Sequence, residues 1–175
     1  VLMSIFYHTN WFDNEQVEFR FILLYELSLA FKSSLFSKIF IPTAYECISL
    51  FQNDYISTLS SIFKFLSNMR INYIPSKIYD FSFDFLKHNI YLFTQIKSNN
   101  SLQDDISEKG FLGHYSIGTD IIMQPNIMYK SVLGHIKSCF MFLCNLPSKF
   151  IKDKNSFFEE TYKLLPLISH IAIQQ

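Results

Sequence analysis

The chain has 175 residues, of which 49% are hydrophobic and 20 are Phe, and its 15 Lys and Arg balance 15 Asp and Glu to a formal net charge of zero. That length holds one domain with a full core, since a chain of about 150 residues buries roughly two-thirds of the surface that its unfolded form exposes. Balanced charge without a Lys/Arg cluster excludes a surface that grips nucleic acid mainly by neutralising phosphates.

Val1 to His8 reads as the last turns of a helix. Asp13 then opens another: Asp at the N-cap with Gln16 three residues on is a variant of the capping box, which satisfies otherwise orphaned amides. The predicted helix runs from about residue 14 to 32. Val17, Phe21, Leu24, Ser28 and Phe31 make one stripe at helical spacing, and Phe19, Ile22, Leu23, Leu27 and Ala30 fill most of the remaining circumference. A helix apolar nearly all round is expected to be buried on several sides.

Ser34 to Asn53 repeats the pattern with Leu35, Ile39, Phe40, Ala44, Ile48 and Phe51, and Pro42 is expected to kink it or mark a fresh start. Joined this tightly, the two helices are expected to pack antiparallel. A shorter helix follows at 55 to 68, and Asn68 to Pro75 breaks it. Ser76 to Ile96 fits a helix, although the alternation of Phe81, Phe83 and Phe85 leaves a strand open.

Residues 98–126 begin with the polar run SNNSLQDDISEKG and are expected to form a loop or insertion. Ile127 to Leu146 is helical again, with Pro147 as its stop. Ser156 with Glu159 offers a second capping box, opening a last helix that carries Pro166.

Six or so helices with short connections make the predicted fold all-α. Apolar antiparallel pairs without a repeat consensus resemble degenerate HEAT-type units, each burying its faces only by stacking on the next, so an α-solenoid of HEAT-like antiparallel helix pairs is expected across 1–175. An irregular helical bundle is the alternative. Charged residues interrupt every apolar run before membrane-span length: Arg20 and Glu26 in the first, Lys38 and Glu46 in the second, Lys130 and Lys137 in the third. The amino end lacks the order of a signal peptide and reads as the middle of a larger chain.

Cys47, Cys139 and Cys144 form no zinc spacing and no even disulfide framework, which points to a reducing compartment and to cysteines acting as small buried hydrophobes. Ser116 and Gly118 approach the nucleophile-elbow pattern, but His114 stands where the sharp turn needs Gly. His135 and Cys139 lie one helical turn apart, yet two ligands make no metal site. Asp104 and Asp105 are adjacent on a solvated loop. Trp11 is either a partner anchor or a side chain packed across an interhelical turn; Lys32, Ser33 and Ser34 read as a solvated helix end. No catalytic, cofactor or metal residues are assigned, and no small-molecule substrate or membrane partner is expected. A hydrolase using Ser116 and a helical membrane-associated protein remain as contrasting readings.

At residues 1–53 the order Ile5-Phe6, Trp11, Asp13, Arg20-Phe21, Leu24, Leu27, Phe31-Lys32-Ser33, Leu35-Phe36 and Phe40 resembles the C-terminal conserved region of the large HEAT-repeat subunit of the U3 small-subunit processome. Ser138-Cys139-Phe140, Phe150-Ile151, Phe157 and Leu164-Leu165-Pro166-Leu167 resemble that family's later block, with one proline of the last motif replaced by leucine. Between about 55 and 130 nothing corresponds. The resemblance implies a non-catalytic scaffold in ribosome biogenesis, placed in the nucleolus and active in rRNA processing. Its partners would be protein subunits of a large ribonucleoprotein, with pre-rRNA or U3 RNA reached indirectly. A HEAT/ARM-type adaptor of another complex, in transport or trafficking and cytoplasmic, is the alternative.

Overall fold

The computed structural model describes residues 2–30, 34–51, 55–99, 125–151, 154–159 and 161–163. In chain order the helices are α1 (Leu2–His8), α2 (Asn14–Ala30), α3 (Ser34–Phe51), α4 (Ile56–Ser67), α5 (Ser76–Asn99) and α6 (Pro125–Cys144), followed by a short 3-10 turn, Ser148–Phe150. A further helical segment occupies 154–159 and 161–163, and no strand occurs among the described residues. The described residues are all-helical in their regular structure, and Phe81, Phe83 and Phe85 lie on α5. Residues 98–99 and 125–126 of the expected loop belong to α5 and α6, and 100–124 lie outside the described residues.

The ends of the helices follow from local chemistry. Asp13 Oδ1 accepts from the amides of Glu15 and Gln16 at 3.1 and 3.2 Å, which satisfies two of the orphan donors of α2. The reciprocal half of the box is redirected. Gln16 Oε1 accepts from the Asn10 amide at 3.1 Å, because the Asp13 amide already donates to the Asn10 carbonyl. Pro42 lies inside α3 without restarting it; its ring is exposed, and Thr43 Oγ1 donates back to the Ile39 carbonyl at 2.9 Å. Ser156 is not a cap, since residues 154 and 155 before it are already helical.

Hydrogen bonds between helices fix their directions. Asn14 and Glu18 of α2 meet Thr58 and Ser57 of α4, and Ser28 meets Asn68 just beyond it, so α2 and α4 run parallel. Ser60 pairs with Ser138, the Phe63 ring stacks on Phe142, and Asn145 Nδ2 donates to the Ser67 carbonyl, which makes α6 parallel to α4 as well. Cys139 Sγ donates to the Ser82 carbonyl at 3.1 Å. Three residues further along each helix, Phe85 and Phe142 share the ring of Phe63, so α5 advances in the same sense.

The packing order is α2, α4, α6, α5, with α3 crossing α4 in the opposite direction. α3 begins where Phe36 meets Phe65 near the end of α4, and ends where Phe51 meets Tyr55 before its start. Thus α2 and α3 do run antiparallel, but their closest packing is on α4, where the Phe65 ring touches both Phe21 and Phe36. The core centres on α4, whose Thr58, Leu59, Ile62, Phe63, Phe65 and Leu66 are all buried. Burying such side chains contributes roughly 1.5 to 3 kcal/mol each before conformational entropy is counted. Met69, Ile71 and Ile74 pin the non-helical return from α4 to α5 against this core.

Candidate interaction surface

The two faces of α2 are chemically alike and structurally unlike. At about 100° per residue, Val17, Phe21, Leu24 and Ser28 fall on one side, and all four are buried. Phe19, Ile22 and Leu29 fall on the opposite side and are 62%, 44% and 53% exposed. The expectation of burial on several sides therefore fails for this face: α4 covers one side, and among the described helices no other packs as extensively against α2. Exposed Glu15 and Glu26 lie along the same outward stripe, and the Arg20 guanidinium rests over the Phe19 ring at 5.7 Å. Contiguous exposed apolar side chains rimmed by charge are the usual chemistry of a protein-binding face.

Trp11 packs edge-on against Phe21 at 6.0 Å, so it braces the turn before α2 from the core side. The turn itself is tied by Asn10, whose Oδ1 accepts from the Phe12 amide. Together with the Asp13 cap, these contacts fix the angle at which α2 leaves the turn.

The other candidate residues are dispersed. His135 and Cys139 are buried on α6, but each is engaged with a different partner. Cys139 bonds to Ser82 of α5, and His135 Nε2 lies 3.1 Å from Ser131 Oγ. Burial pushes the His135 imidazole down to about 4 and raises the Cys139 thiol well above its ordinary value. Cys47 is pushed up to about 12, first by burial and then by the carboxylate of Glu46. These thiols are therefore poor nucleophiles. All three cysteines are free, with Cys144 exposed. Among the described residues no three His, Cys, Asp or Glu side chains come together as a metal site, and no helix is long and apolar enough to cross a membrane. His114, Ser116, Gly118, Asp104, Asp105, Lys32 and Ser33 lie outside the described residues; Ser34 opens α3.

Sequence reasoning did not anticipate a groove of about 320 Å³ between α3 and the start of α5, lined by Tyr45, Glu46, Ser49, Pro75, Ser76, Lys77 and Ile78. Two of its three lining hydroxyls are already committed. Tyr45 Oη donates to the Tyr73 carbonyl at 2.8 Å and Ser49 Oγ to the Tyr45 carbonyl at 3.1 Å. Burial, then the neighbouring Tyr73, raises the Tyr45 phenol above its ordinary value, so it stays a neutral donor. This groove holds no primed nucleophile and base. Comparison with known proteins returned nothing: no family model, no curated protein and no solved structure matches this chain.

Proposed function

We propose that this chain is a non-catalytic helical scaffold that works in nucleolar pre-rRNA processing and small ribosomal subunit assembly. The observation that carries the scaffold reading is the outward face of α2, where Phe19, Ile22 and Leu29 remain exposed after α4 has covered the other side. In a stack of helical units such a face is closed by the next helix. Support for a HEAT-like reading is that α2 and α4 lie side by side and parallel while α3 returns antiparallel to both, although α3 packs on α4 and not chiefly on α2. The position of α6 between α4 and α5 departs from the sequential order of a plain solenoid, so the proposed architecture is a HEAT-like unit extended by an irregular bundle. Support for the ribosomal setting is the resemblance of motif order around Trp11, Arg20-Phe21 and Phe150-Ile151 to the large processome subunit. The partners in this reading are protein subunits of the ribonucleoprotein, with pre-rRNA or U3 RNA held through them.

Affinity purification of the full-length protein tests both parts. Recovery of small-subunit precursor RNA with its assembly factors is expected, together with its loss in a Phe19→Ser, Ile22→Ser double variant that melts like the parent. Recovery of transport or trafficking subunits instead would replace the ribosomal setting with the adaptor reading. A double variant that keeps every partner would remove α2 as the binding face.

A further inference from the structure

The exposed side of α2 is a single line of side chains. Glu15, Phe19, Ile22, Glu26 and Leu29 follow one another at alternating intervals of four and three residues, and all five are exposed. That alternation keeps side chains in one seam along a helix and is the spacing by which two helices interlock. Two positions of the seam are carboxylates, Glu15 and Glu26, eleven residues apart with Phe19 and Ile22 between them. Among the described residues neither carboxylate has a hydrogen bond or an ion pair. Glu18, the remaining acid of α2, is turned toward α4, where its Oε2 accepts from Ser57 Oγ at 2.8 Å. Arg20 rests over the Phe19 ring and Lys64 over Tyr25, at 4.3 Å for the latter, and neither pairs with the seam carboxylates. Glu15 lies in the first turn, where the helix dipole favours an acid. Glu26 lies toward the carboxyl end, where the dipole gives it no such support.

We propose, resting on the reading of this face as a binding surface, that its occupant is one amphipathic helix of a partner protein. The partner helix carries Lys or Arg at two seam positions eleven residues apart, with apolar residues at the two seam positions between them. Run in either direction along α2, such a helix sets a cation against each carboxylate and apolar side chains against Phe19 and Ile22. A wholly apolar helix would bury two unpaired carboxylates, a cost that disfavours it. A second copy of α2 fails for the same reason, because its own seam holds no cation. An RNA backbone or an anionic lipid surface is repelled by the same two charges.

Fluorescence anisotropy on the full chain, with two synthetic helical peptides of about three heptads, tests this. Both peptides carry Leu along the seam, and they differ only in having Lys or Glu at the two positions eleven apart. The Lys peptide is expected to bind the parent about 10-fold more tightly than the Glu peptide, a preference that weakens in high salt. Glu26→Lys alone is expected to equalise the two peptides, and the Glu15→Lys, Glu26→Lys double variant to reverse their order, each at exposed positions where melting is expected to match the parent. Equal affinity of both peptides for the parent, binding of neither, or an unchanged order in the double variant would each overturn the proposal. So would dimerisation of the parent through this face in sedimentation equilibrium, which would make a second copy the occupant. Any of these results alongside loss of the native partners from the Phe19→Ser, Ile22→Ser variant would leave the scaffold reading in place and remove only the basic helix.

Discussion

Asn68 Nδ2 donates to Ser28 Oγ at 2.7 Å, joining the end of α4 to the end of α2. The same hydroxyl donates to the Tyr25 carbonyl at 2.6 Å, so Ser28, although buried in the apolar stripe, has both its roles filled. Ser28→Ala removes both bonds but leaves Asn68, which is exposed, free to turn to water. The expected loss is about 1 kcal/mol, the net value of an ordinary hydrogen bond, read as a lower urea midpoint with unchanged slope.

Phe63 is fully buried and its ring touches Phe85 at 5.2 Å and Phe142 at 5.5 Å, so one side chain fills the junction of three helices. Phe63→Ala is expected to cost about 3 to 5 kcal/mol. Leu24, also fully buried, is the stricter test of the α2–α4 interface. Leu24→Asp places an unpaired carboxylate there and is expected to abolish cooperative melting, since its cost rivals the whole stability of a domain, about 5 to 15 kcal/mol. A normal transition in that variant would contradict the packing of α2.

Acid sensitivity follows from His135. Its folded-state value is about 4 against an ordinary 6.5, so between those limits the unfolded chain takes up a proton that the folded chain refuses. Stability then rises with pH through that window and levels off above it; at pH 5 the expected loss is about 2 kcal/mol relative to pH 7. His135→Leu is expected to flatten the dependence in urea titrations at the two pH values. An unchanged slope would show that another group governs it.

Removing the cap of α2 has a smaller and local effect. Asp13→Ala leaves the amides of Glu15 and Gln16 without their carboxylate acceptor, at an expected cost of about 1 kcal/mol. Asp13→Ser is expected to restore most of it, which melting curves of the two variants compare.

Which face of a helix is buried was legible wherever one stripe exceeded its surroundings. Val17, Phe21, Leu24 and Ser28 occupy the core as their spacing predicts, and Asn68 to Pro75 interrupts the helices as its breakers predict. On α2 the periodicity was weak because Phe19, Ile22 and Leu29 are as apolar as the core positions. Hydropathy alone does not separate a covered face from an open one; only Glu15 and Glu26 within the outer stripe marked it. Helix order was not legible at all. Ser60 and Ser138 are bonded across 78 positions of sequence, and periodicity identifies a face without naming what it meets. Ser156 illustrates the same limit at short range, since a capping pattern occurs inside a helix as readily as before one when neighbouring residues already sustain the turn.

The shared direction of α2, α4, α5 and α6 gives this group of helices an electrical head and tail, which α3, running the other way, offsets in part. Each helix carries roughly half a positive elementary charge at its amino end and half a negative one at its carboxyl end, and in parallel neighbours these partial charges add where an alternating arrangement would cancel them. A chain whose side chains sum to zero therefore still carries unlike partial charges at the amino and carboxyl ends of these four helices.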